Sequence, residues 1–327
     1  MCGIFGVINY GEATYMKAKA MRESLSALFR ESETRGRDAS GLCVVAEKEI
    51  TLFKHNVKAT ELMQTRGYSD ALNLIRANKN FRYAIGHTRA ETKGSNKFNE
   101  NNHPIVAGRV IGIHNGCIHN DDKLFAKYAE DHMRRAGQVD SEIIFRLIEH
   151  ELNRSESIVG AVRLAHEQLE GSYACAFIDT ENPRYVTLFR DNSWNDIILF
   201  DYNKSSMAAF ASTEYILGRA MDGRGCLDPS HKTAKIEIRN GGLRLDTLTG
   251  KYYQFEFAQK PKSTGVMYDG FCARTDCGLC YYREACDKEK NKLNNLAMKT
   301  GDSSSGSEDF AEGFADFMGM GLNIPIG

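Results

Sequence analysis

Two rhythms of apolar and polar positions alternate along residues 1–258. Short apolar runs of strand length read GIFGVIN (3–9), GLCVVAE (41–47), YAIGH (83–87) and RVIGIH (109–114). Between the first two, Met21, Leu25 and Leu28 fall at i, i+4 and i+7, which predicts a helix over 14–32. Ile144, Leu147 and Ile148 predict a second helix over 141–153, and Ile158, Val162 and Leu169 a third over 156–169. Strand-like runs then follow one another: YACAFID (173–179), YVTLFR (185–190), DIILFD (196–201), AKIEIRN (234–240), LRLDTL (243–248) and YYQFEFA (252–258). Strands in two groups, with helices between and around them, predict an α+β layered domain over 2–258 rather than a regular βαβ alternation.

The pattern changes after residue 258. AQKPKSTG (258–265) reads as a linker, and the next segment, to 298, carries Cys272, Cys277, Cys280 and Cys286 with the spacing C-x4-C-x2-C-x5-C. Four thiolates at that spacing suit tetrahedral zinc or an iron–sulfur cluster; a reduced, metal-free cluster or a redox pair are the alternatives. The segment CGLCYYREAC (277–286) also resembles the cysteine signature of iron–sulfur modules in some nucleases. GDSSSGSED (301–309) opens a flexible tail over 299–327. Its Phe310, Phe314 and Phe317 at helical spacing leave two readings, a disordered end or a peptide that docks on a partner.

Composition narrows the function classes. With 42% hydrophobic residues, 26% charged residues and a formal net charge of -1, the chain can bury a sizeable core. Its scattered basic residues give no surface for nucleic acid or an anionic membrane. No apolar run reaches the length of a membrane span, and the N-terminus has no basic region ahead of a long apolar one. A cytosolic location is the expectation. Nine cysteines, an odd number, argue against a disulfide framework there.

The chemistry concentrates at the N-terminus. Methionine aminopeptidase removes Met1 before a residue as small as cysteine, so the mature chain is expected to begin at Cys2. Thiol and α-amine then share one residue, and an α-amine with a pKa near 8 is a base close to neutrality. Cys2 by itself reads more simply as an incidental residue on an N-terminal strand. It is accompanied by RGRDASG (35–41), GHTRAETKG (86–94), NNHP (101–104), IGIHNGCIHN (111–120) and QVDSEIIFRLI (138–148). Arg89 is suited to a carboxylate, which its guanidinium grips bidentately, or to an ordinary salt bridge. The Asn115 amide and the Gly116 N–H are donors of the kind an oxyanion needs; Asn-Gly is also a common hairpin turn. Asp140 stands where it would cap a helix or hold an ammonium.

In this order, MCGIFG, RGRDASG, GHTRAET, NNHP, HNGCIHN and VDSE resemble the class II glutamine amidotransferases, and the wording is most similar to the glucosamine-6-phosphate synthase type. The resemblance covers roughly residues 2–258. It implies a four-layer αββα N-terminal-nucleophile hydrolase fold, needing no cofactor for its chemistry. It implies Cys2 as the nucleophile that forms a glutamyl thioester with its own α-amine as base. Arg89 is implied to bind the glutamine carboxylate and Asp140 its ammonium. Asn115 and Gly116 are implied to bind the oxyanion, while Thr92 and Gly94 line the pocket. Two positions depart from that pattern: Ala90 replaces an aromatic associated with gating ammonia, and Lys93 replaces a histidine. The family usually fuses this domain to a synthase. Some 70 residues remain after 258, too few for one, so a separate ammonia-accepting enzyme is the expected partner. The alternative from another class is a catalytically idle scaffold or regulatory subunit.

Overall fold

The computed structural model describes residues 1–154, 157–222, 227–258 and 322–325. The four clustered cysteines, the linker and most of the tail lie outside the described residues. The strands are β1 (Gly3–Asn9), β2 (Ala39–Ala46), β3 (Glu49–His55), β4 (Phe81–Arg89), β5 (Ile105–Ala107), β6 (Val110–Ile118), β7 (Gly171–Asp179), β8 (Tyr185–Arg190), β9 (Ile198–Tyr202), β10 (Met207–Ala211), β11 (Ala234–Glu237), β12 (Gly241–Asp246), β13 (Tyr252–Glu256) and β14 (Leu322–Pro325). The helices are α1 (Tyr15–Ser32), α2 (Ala59–Leu62), α3 (Arg66–Leu72), α4 (Asp121–Lys127), α5 (Ser141–Leu152), α6 (Ile158–Gln168) and α7 (Glu214–Met221).

An eight-stranded sheet runs in the order β11-β9-β10-β1-β4-β2-β3-β14, and a six-stranded sheet in the order β13-β12-β8-β7-β6-β5. The pairings are antiparallel. Side-chain alternation sorts each strand's residues into two layers. On β1, Ile4 and Ile8 face Ile111, Ile113, Ala176 and Leu188 of the second sheet. Phe5 and Val7 face the other way, toward Met21, Leu25 and Phe29 of α1. On the far side of the second sheet, Tyr173, Cys175 and Phe177 of β7 pack against Ile144, Leu147 and Ile148 of α5 and Val162 of α6. The result is a four-layer helix–sheet–sheet–helix stack. Its two sheets are buried on both faces, which is why β1 and β2 read as continuous apolar runs.

The predicted helices over 14–32, 141–153 and 156–169 correspond to α1, α5 and α6. Thr14 caps α1 and Ser157 caps α6, each side chain accepting a backbone N–H bond. Several elements escape the sequence pattern: β3, β5, β10, α2, α3, α4 and α7. β3 contains the buried charge of Lys54, which interrupts its apolar alternation. α7 is too short for its periodicity to stand out.

The tail reading needs a correction at its end. Residues 322–325 form β14, which pairs with β3 in the same compact unit as residues 1–258. An edge strand exposes unpaired backbone groups that a returning segment satisfies. Thr51 also donates from Oγ1 to Asn323 Oδ1 at 2.6 Å, and Leu322 and Ile324 pack against the inter-sheet core.

Candidate active site

Cys2 lies just before β1, beside the end of β4 that carries Arg89, because Gly3 pairs with Thr88. The thiol is half-buried and donates a long bond to the carbonyl of Ala90 at 3.6 Å. Its own carbonyl accepts from Arg35 Nε at 2.8 Å. Burial pushes the thiol above its ordinary range; contact with the Ala90 backbone, the N-terminal ammonium and Arg89 pull it back down. Arg35 opens the RGRDASG loop. That loop can pass against Arg89 because residue 36 is glycine: a Cβ there would sit 2.3 Å from the Arg89 carbonyl carbon. Asp38 closes the contact, its N–H donating to Arg89 O at 3.0 Å and its Oδ2 accepting from Glu91 N at 2.7 Å.

Arg89 is 2% exposed, and the bonds of its guanidinium run to neutral oxygens. Nη1 donates to Asn102 Oδ1 at 2.9 Å, while Nη2 donates to Lys93 O at 2.9 Å and Gly94 O at 2.5 Å. Among the described residues it enters no salt bridge, so the ordinary reading of a structural ion pair does not hold. Gly94 takes a φ of +76°, and Thr92 is exposed on the same loop. Lys93 reaches Asp121 (2.6 Å) and Asp122 (3.0 Å), where Arg135 also binds.

Asn115 and Gly116 lie within β6, so they are not a hairpin turn. Asn115 is almost fully buried and donates to Asn195 Oδ1 at 3.3 Å, a partner that no sequence signal marked. Gly116 has a φ of +147°, and a Cβ there would lie 2.0 Å from Ser172 O, so only glycine fits. Asp140 precedes α5 but makes no side-chain cap bond. Its Oδ2 accepts instead from Ile118 N at 2.6 Å, which ties it to the end of β6. Asp140 and Arg89 both act electrostatically on Cys2.

Beneath these groups lies a buried basic cluster. His87 and His103 stack with centroids 4.1 Å apart. His114 Nδ1 bonds with Ser141 Oγ at 2.7 Å. Burial lowers the pKa of all three imidazoles, that of His87 to about 3. Lys54 is pushed down to about 7 for the same reason. The cluster therefore contributes neutral imidazoles to the interior. A separate cavity of about 370 Å³, lined by Arg109, Asp179 and Arg244, lies past the opposite end of β6 and takes no part in this arrangement.

A family model described as a glutamine amidotransferase domain matches residues 87–218, a stretch that contains Arg89, Asn115, Gly116 and Asp140. This chain carries a class II glutamine amidotransferase domain. It is 29% identical over 194 residues to the glutamine–fructose-6-phosphate aminotransferase (isomerizing) of Bacillus thuringiensis subsp. konkukian, covering 59% of this chain and 29% of that protein. It is 30% identical over 195 residues to the enzyme of the same name from Staphylococcus aureus strain Mu50, covering 59% of this chain and 30% of that protein. The chain thus spans under a third of the length of these relatives. Among solved structures it resembles the glutamine phosphoribosylpyrophosphate amidotransferase of B. subtilis complexed with ADP and GMP. The TM-score is 0.56 at 18% identity, over 79% of this chain and 50% of that one. That likeness bears on the fold of the amidotransferase domain: α+β, with antiparallel sheets.

Cys272, Cys277, Cys280 and Cys286 lie outside the described residues. Among the described residues, no group of three or more His, Cys, Asp or Glu side chains is arranged to hold a metal.

Proposed function

We propose that this domain hydrolyses the side-chain amide of glutamine and passes the ammonia to a separate acceptor. The observation that carries the reading is a buried cation and a buried carboxylate that both act electrostatically on a half-buried thiol. Arg89 spends its bonds on neutral oxygens, and three of its five N–H donors are used. Asp140 spends one of about four acceptor positions on Ile118. The pair is complementary to the carboxylate and ammonium of a free α-amino acid. Thr92 and Gly94 complete the wall beside Arg89.

With Met1 removed, the α-amine of Cys2 takes the thiol proton as sulfur bonds to the amide carbon. The Asn115 amide and the Gly116 N–H stabilise the oxyanion. The carbon–nitrogen bond breaks, the amine returns its proton to the leaving nitrogen, and ammonia departs. Water then cleaves the thioester to release glutamate. The ordinary base is the α-amine itself; the low pKa values of the neighbouring histidines suit them to structure rather than proton transfer.

Both relatives named above are glutamine–fructose-6-phosphate aminotransferases, which supports glutamine as the source of the nitrogen. The test is the intact mass before and after treatment with a diazoketone analogue of glutamine. One adduct on a chain lacking Met1, lost in Cys2→Ala, supports the reading. A chain lacking Met1 that forms no adduct favours the idle scaffold. Elemental analysis of the same sample separates zinc, iron and no metal at Cys272, Cys277, Cys280 and Cys286.

A further inference from the structure

NNHP, at 101–104, has no part in the chemistry above, yet its bonds reach both halves of the amino-acid grip. Asn102 Oδ1 accepts from Arg89 Nη1 at 2.9 Å, and its Nδ2 donates to Asn96 O at 2.8 Å. Asn101 Nδ2 donates to Ser95 O at 2.8 Å. On its other side Asn101 Oδ1 accepts from Gln138 N at 2.6 Å, two residues before Asp140. Both asparagines are fully buried.

Lys54 supports this turn from below. It is 2% exposed, and its Nζ donates to the main-chain carbonyls of Asn102 at 2.7 Å and Pro104 at 3.0 Å. Its own carbonyl accepts from Asn99 Nδ2 at 3.2 Å. A buried lysine is costly, and a core that needed only to fill this space would use an apolar side chain. This one holds the backbone of a turn whose side chains hold Arg89 and the approach to Asp140.

We propose that Lys54, Asn101 and Asn102 are positioning residues that fix the separation between Arg89 and Asp140, and so set how tightly the site grips the α-carboxylate and α-ammonium of its substrate. The inference rests on the amidotransferase reading above. The carboxylate and ammonium of glutamine hang from one carbon, so the groups that bind them must hold their spacing to a fraction of an ångström. None of the three residues touches the reacting atoms.

The experiment measures labelling of Cys2 in the full chain by the diazoketone analogue, as a function of its concentration, and by iodoacetamide, which needs no amino-acid grip. Asn102→Ala removes the bond to Arg89 but keeps the carbonyl that Lys54 uses; Lys54→Met removes the support. In each, the half-saturating diazoketone concentration should rise roughly ten- to a hundredfold, a cost typical of misplacement by about an ångström. The maximal rate and the iodoacetamide rate should change little. The double variant should be no worse than the more impaired single one, because both act through the same turn. A lowered melting temperature with an unchanged half-saturating concentration overturns the inference and leaves Lys54 a structural residue. Effects that multiply in the double variant also overturn it. Should Lys54→Met fail to fold, Asn102→Ala alone decides. A wild-type chain that reacts with iodoacetamide but not with the diazoketone overturns the amidotransferase reading, and this inference with it.

Discussion

The Nε2 of His87 stands 3.0 Å from the carbonyl oxygen of His114 and joins the two sheets where they meet the site. His87 lies two residues before Arg89 on β4, and His114 lies one residue before Asn115 on β6. The bond requires the proton on Nε2, and burial, which holds the pKa at about 3, keeps the ring in the neutral tautomer that carries it there. It sets the strand that carries the carboxylate-binding arginine against the strand that carries the oxyanion donors. Burial of the ring, which disfavours its charged form, also makes the site sensitive to acid.

Stability is expected to fall as the pH drops from about 6.5 toward 3. His87 has a pKa of about 3 in the fold against 6.5 when exposed, and His103 and His114 are shifted the same way. Between those values the unfolded chain binds a proton at His87 that the folded chain does not, which favours unfolding by about 1.4 kcal/mol per pH unit, and His103 and His114 act in the same direction. His103→Phe keeps a ring against His87 and removes one of these groups. Denaturant midpoints across this range should show a shallower slope in that variant; an identical slope excludes His103 as a contributor.

Arg89→Lys should raise the KM for glutamine about ten- to a hundredfold, with a smaller effect on kcat. Lysine cannot reproduce the bonds to Asn102, Lys93 and Gly94 while also presenting a fork to a carboxylate. Steady-state glutamate release gives the answer. An unchanged KM removes Arg89 from the grip.

Gly116→Ala should cost about 2 kcal/mol or more, from backbone strain and from a Cβ placed against Ser172 O. Urea unfolding measures the loss. The same variant should lose activity, since any relief moves the Gly116 N–H. A variant of wild-type stability would mean that β6 relaxes freely at this point.

Arg35→Ala should slow the maximal rate of diazoketone labelling by roughly ten- to a hundredfold without changing the circular dichroism, because it frees the Cys2 carbonyl. Unlike the variants of Asn102 and Lys54, it should leave the half-saturating concentration nearly unaltered. A shift in that concentration alone would assign Arg35 to substrate binding instead.

Local signals carried much of the protein. Apolar periodicity located α1, α5, α6 and the long central strands, because those elements bury whole faces and the pattern follows the burial. The ordered motifs also marked Cys2, Arg89, Asn115, Gly116 and Asp140, since each is a residue type whose chemistry is nearly unique at its position. What the sequence left open at several of these positions was the choice between a structural and a chemical reading. Asn-Gly could have been a turn, Asp140 a cap, Arg89 a salt bridge. Only the tertiary structure set aside the turn, the cap and the salt bridge, because each depends on a partner distant in sequence: β7 for Gly116, Ile118 for Asp140, Asn102 for Arg89. Lys54 and Asn195 left no signal for the same reason. A buried lysine and a lone asparagine look like surface residues until long-range pairing brings the carbonyls and amides they serve within hydrogen-bond reach.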